Sequence, residues 1–83
     1  MDRTTYYVVL PFARDESGDL VAGEPLECPN AGKANRVAAA LAVDPKFCGA
    51  IAFSRTGNPA LGDFDDAVLI NAIGEVDPMA LGG

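Results

Sequence analysis

The chain has 83 residues, 49% of them hydrophobic, with twelve acidic side chains against six basic ones and a net charge of -6. That length leaves room for one small domain, the apolar content is too high for intrinsic disorder, and no apolar run approaches the roughly 20 residues that span a bilayer. The absence of His and Trp removes the commonest general base and metal ligand and the strongest base-stacking side chain, and the acidity argues against nucleic acid as a partner.

Residues Thr4 to Arg14 are dense in β-branched, aromatic and aliphatic side chains. Tyr6, Val8, Leu10 and Phe12 share one face and Tyr7, Val9, Pro11 and Ala13 the other, the pattern of a first strand. Pro11 has no N–H for a ladder, so the strand is expected to be an edge, to bulge or to leave the sheet near that point. Asp15-Glu16-Ser17-Gly18-Asp19 is a run of turn formers and predicts a hairpin loop. Leu20 to Cys28 then returns as a second, weaker strand interrupted around Gly23 and Pro25.

Asn30 is a good N-cap, and Ala31 to Val43 holds six Ala and Leu41 with no internal proline, which predicts one helix. Ala34, Val37, Ala38, Leu41 and Ala42 form a stripe that should face a sheet, while Lys33 and Arg36 project to solvent. Asp44-Pro45 ends the helix, because the residue before proline is pushed out of the α region.

Phe47 to Arg55 reads as a third strand, with Ala50 and Ala52 on one side and Ile51 and Phe53 on the other, and Thr56 to Asp63 as a turn-rich connection. Phe64 to Gly74 gives a fourth strand containing Ala67-Val68-Leu69-Ile70, a run apolar on both faces. Such a strand is covered on both sides or buried against another subunit. With one helix to cover one face, the pattern points to a homodimer through a sheet edge or the uncovered sheet face, with Val68, Leu69 and Ile70 as interface residues. The order β-β-α-β-β predicts an α+β two-layer sandwich, a mostly antiparallel four-stranded sheet with one helix packed on one face. One domain over 1–76 and a disordered tail over 77–83 are expected.

All six basic residues precede Pro59, and the stretch after it carries five acids. These carboxylates read as a solvated surface or as a docking face for a basic protein partner. Cys28 and Cys48 are expected to be free thiols, because the opening residues lack the basic region of a signal peptide and a cytoplasmic setting follows. Catalysis by Cys28, just before the helix, would need Lys33, Arg36 or the helix start to lower its pKa. Pro29-Asn30-Ala31-Gly32-Lys33 matches letters found in the phosphate loop of many GTPases. Glu27 stands where that loop needs its first glycine and Ala34 where it needs the Mg²⁺-binding hydroxyl, so the string reads as an N-capped helix. A lone anion could still bind at the helix start, and Asn30, Lys33, Arg36 and Arg55 are the candidate ligand-binding residues. Asp63, Asp65 and Asp66 fall short of a calcium loop, so no metal, cofactor or catalytic set is expected. Arg55 is expected to pair with one of these three acids; left unpaired in a concave surface, it becomes the first candidate for recognising an anion.

The strings Gly49-Ala50-Ile51-Ala52-Phe53-Ser54-Arg55-Thr56-Gly57-Asn58-Pro59, Gly62-Asp63-Phe64-Asp65-Asp66-Ala67-Val68 and Ile73-Gly74-Glu75-Val76 carry a resemblance. With Leu10-Pro11-Phe12 and Gly23-Glu24-Pro25, they resemble a group of small uncharacterised bacterial proteins, chiefly alphaproteobacterial. The resemblance implies a stand-alone bacterial protein and carries no activity with it. One alanine-rich helix followed by a hairpin also looks like half of a peptidoglycan-binding SPOR domain, an analogy of fold alone. The leading expectation is a cytoplasmic, non-enzymatic association protein that forms a homodimer, with no membrane or nucleic-acid partner. The alternative is an anion-binding or thiol-based site at the helix start.

Overall fold

Alternating apolar side chains build the longest strand, β1 (Thr4–Arg14), and a local device turns the chain at its end. Asp15 Oδ1 accepts hydrogen bonds from the backbone N–H of Ser17 and Asp19, both at 2.9 Å, which closes the loop before β2 (Leu20–Ala22). There follow β3 (Leu26–Cys28), α1 (Ala31–Ala42), β4 (Gly49–Asn58), β5 (Asp63–Phe64) and β6 (Val68–Gly74). These come from a computed structural model, which describes residues 3–77 and residue 79. Of the tail expected over 77–83, residues 78 and 80–83 lie outside the described residues. No described helix is long and apolar enough to cross a membrane.

Every strand pairing among the described residues is antiparallel. β2 and β3 are two pieces of one broken strand along β1, and β5 and β6 are two pieces of another along β4. β1 and β4 pair in unbroken register from Thr4↔Gly57 to Phe12↔Gly49 and form the middle of the sheet. The fold is therefore of the α+β class, one helix on a mostly antiparallel sheet. β4 runs through Asn58, beyond the expected end at Arg55, because pairing with β1 and β5 holds Thr56 and Gly57 in the ladder.

Pro11 departs from expectation: it lies inside β1 with neighbours on both sides. In an antiparallel ladder a residue's N and O point to the same neighbouring strand. Pro11 O accepts from Gly23 N at 2.7 Å, so its nitrogen faces the interruption between β2 and β3. The next residue turns the other way, Phe12 O accepting from Cys48 N at 2.8 Å. The partner strand is broken where proline has no donor to offer, and the β4 side loses nothing.

Asn30 caps α1, its Oδ1 accepting from Lys33 N at 2.8 Å. Ala34 and Ala38 are fully buried and, with Val37 and Leu41, pack on Tyr7, Val9, Cys28, Ala50, Ala52, Ile70 and Ile73. Their small size lets the helix lie close to the sheet. A second apolar cluster, Leu10, Phe12 and Ile51 with Leu20, Cys48, Phe53 and Val76, sits on the opposite face.

The strands apolar on both faces are thus β1 and β4, whereas β6, expected in that role, is an edge strand. Register passes from Ala52↔Asn71 to Phe53↔Leu69, leaving Ile70 as the extra residue of a bulge. Of the three residues expected at an interface, Ile70 packs beneath α1, and Val68 and Leu69 are 63% and 56% exposed.

Gly49 and Gly74 pair at the end of the β4–β6 ladder, and Gly74 adopts φ +76° so that Glu75 N can donate to Cys48 O at 2.9 Å. A Cβ on Gly49 would collide with the Glu75 backbone. Gly49→Ala should therefore destabilise the fold by about 3 kcal/mol, lowering the thermal midpoint by roughly 15 °C. A calorimetric midpoint within a few degrees of the parent would contradict this packing.

Candidate functional site

The face of the sheet away from α1 is read directly from the register. Tyr6↔Arg55, Val8↔Phe53 and Leu10↔Ile51 face each other across β1 and β4. β3 adds Glu27 opposite Val8, and β6 adds Leu69 opposite Phe53. One row across the sheet is therefore Glu27–Val8–Phe53–Leu69, flanked by Tyr6–Arg55 on one side and Leu10–Ile51 on the other.

The two halves of this face differ. Leu10, Phe12 and Ile51 are buried, with the half-buried side chains of Leu20, Cys48, Val76 and, at the boundary, Phe53 packed against them. In the other half Tyr6, Val8, Phe53 and Phe64 are only half-buried, and Leu69 is exposed. The Tyr6 and Phe64 rings stand 6.0 Å apart, tilted by 49°. Phe64 reaches this position because Gly57 has no side chain: a Cβ there would lie 2.6 Å from its ring.

Arg55 stands half-buried within this apolar half, and its Nε is buried without a hydrogen-bond partner. The expected ion pair with Asp63, Asp65 or Asp66 is not formed. Asp65 is instead held by Arg3 at 2.5 Å, while its N–H donates to Thr56 O at 2.8 Å. Glu27, exposed on β3, likewise forms no ion pair with any described residue.

The other charged contact lies at the far end of the sheet. Arg14 donates to Glu75 Oε2 through Nε at 3.0 Å and Nη2 at 2.5 Å, and to Gly18 O through Nη1 at 2.7 Å. The hydrogen bond and charge of Glu75 raise the Arg14 pKa above its ordinary value. A raised basic pKa contributes stability at lower pH that is lost only as pH climbs through the shifted value, so Arg14 stays charged throughout the neutral range. Both partners are about half exposed, and the pair contributes little to stability.

The candidate ligand-binding residues do not meet. Asn30, Lys33 and Arg36 belong to the helix layer, where Asn30 is engaged as the cap and Lys33 and Arg36 are exposed. Arg55 lies on the opposite face. Cys28 is buried in the cluster under α1, and Cys48 joins the cluster on the other side, its Sγ 3.5 Å from Phe12 O. Both thiols are free, with the sheet between them.

The sequence alone gives Glu27 no binding role and does not bring Tyr6 and Phe64 together. Alternation with Cys28 would have placed Glu27 on the open face; the aromatic pair depends on the β4–β5 register, which leaves no local signal. In comparisons with known proteins, no family model, curated protein or solved structure matches the chain.

Asn30 acts here as a cap, so Asn30→Ala should cost about 1 kcal/mol in urea unfolding with an unchanged m-value. A loss below a few tenths of that would contradict the capping role.

Proposed function

We propose that the chain is a small cytoplasmic, non-enzymatic association protein that forms a homodimer through the open half of the sheet face away from α1. The observation that carries this reading is the apolar strip of Tyr6, Val8, Phe53 and Leu69, with Leu69 56% exposed. Burying a large apolar side chain contributes about 1.5–3 kcal/mol, and a two-fold axis uses each contact twice.

The face is favoured over either edge. One edge is broken between β2 and β3 and the other carries the Ile70 bulge, the kinds of irregularity that discourage edge-to-edge pairing. The thiols favour association over catalysis, Cys28 being sealed in the core and Cys48 sitting against the Phe12 carbonyl.

Sedimentation velocity at tens of micromolar should give about twice the 8.6 kDa chain mass. Leu69→Glu replaces an exposed side chain and should keep the fold while sedimenting as a monomer. A monomeric parent, or a dimeric Leu69→Glu variant, would overturn the reading.

A further inference from the structure

We infer that Glu27 and Arg55 pair between the two copies, Arg55 of each reaching Glu27 of the other, and so set the register of the homodimer proposed above. The inference rests on that reading and adds what orients it. On the open half of the face the register places one acid and one base, Glu27 and Arg55. Neither has an ion-pair partner among the described residues, and the Arg55 Nε is buried without an acceptor. The Arg55 guanidinium forms no hydrogen bond or ion pair with any described residue, and a carboxylate arriving at its outer nitrogens offsets the cost of holding that charge in an apolar surface.

Within one chain the two side chains leave the same sheet face side by side and form no ion pair. Glu27 is opposite Val8 and Arg55 is opposite Tyr6, with β1 lying between them. They stand two strand spacings apart across the sheet, about 9.5 Å, and two residues apart along it, about 7 Å.

A two-fold axis running along the β1–β4 pair, between two facing sheets, exchanges β1 with β4 and the β3 edge with the β6 edge. It sets Val8 of one copy over Phe53 of the other. The same operation brings Glu27 over the partner copy's Leu69, one strand spacing and two residues from Arg55. Facing sheets lie about 10 Å apart, and the arginine and glutamate side chains, pointing toward each other, together span the roughly 13 Å between their backbones. The symmetry makes the pair twice. The chain thus carries both halves of its own charge complement, and this favours a second copy over an unrelated partner.

The test is to mix two charge-reversed variants. Glu27→Arg alone sets arginine against arginine at both contacts, and Arg55→Glu alone sets glutamate against glutamate, so each should dimerise at least about tenfold more weakly than the parent. An equimolar mixture sets opposite charges at both contacts and should form a heterodimer of near-parental affinity, read by sedimentation or native mass spectrometry. Pairing within one chain cannot be restored by mixing. A mixture that stays monomeric while the parent dimerises overturns the Glu27–Arg55 pair and leaves the dimer standing; a monomeric parent overturns both. Should Arg55→Glu fail to fold, the exposed position alone decides: dimer affinity should fall in the order Glu27, Glu27→Gln, Glu27→Arg, and equal affinity of all three overturns the pair.

Discussion

The antiparallel pairing of β1 with β4 is the interaction on which the rest of the molecule depends. β2 and β3 attach to one side of the pair, β5 and β6 to the other, and α1 packs across it. Because the pair is central, its side chains alternate to both faces, and both faces are apolar. Tyr7, Val9, Ala50 and Ala52 point to α1; Val8, Leu10, Phe12, Ile51 and Phe53 point away. One helix supplies one covering layer. Part of the second face is closed by Leu20, Cys48 and Val76, and the remainder is the surface to which we assign the association.

The core explains why a covering partner matters. Of the nine buried hydrophobic residues among those described, four are alanines, which give close helix-to-sheet packing but little apolar area. A chain of this length buries a modest fraction of its surface, and small domains commonly gain the missing stability by oligomerising. The alanines that bring α1 close on one side and the open strip on the other therefore belong to the same economy of a short sequence.

Local chemistry made much of this fold legible. The bounds of β1, the Asp15 turn, the break at Gly23 and Pro25, and the Asn30-capped helix with its alanine stripe all rest on signals within a few residues. What escaped depends on partners distant in sequence. Pro11 is tolerated in a central strand because its nitrogen faces a gap in another strand. Thr56-Gly57-Asn58 reads as a turn by composition, yet Thr56 and Gly57 pair with Thr5 and Thr4, Asn58 pairs with Asp63, and the Thr5 and Thr56 hydroxyls meet at 2.8 Å. Composition pairs Arg55 with Asp63, Asp65 or Asp66, but Arg3 from the other end of the chain holds Asp65 and neither Asp63 nor Asp66 meets Arg55, while the bulge at Ile70 turns Leu69 to the open face. The same long-range register creates the open surface and gives the two-faced character to β1 and β4, where local composition points to Ala67–Ile70.

The central claim is that this face, and no other, meets a second copy. Its most direct test is isotope-filtered nuclear Overhauser spectroscopy on a mixture of labelled and unlabelled chain, which registers only contacts between molecules. The account predicts intermolecular contacts from the Val8 and Leu69 methyl groups and the Phe53 ring, and none from α1. Intermolecular contacts confined to α1 or to the outer backbone of β6, with the Val8–Phe53 row silent, would contradict it.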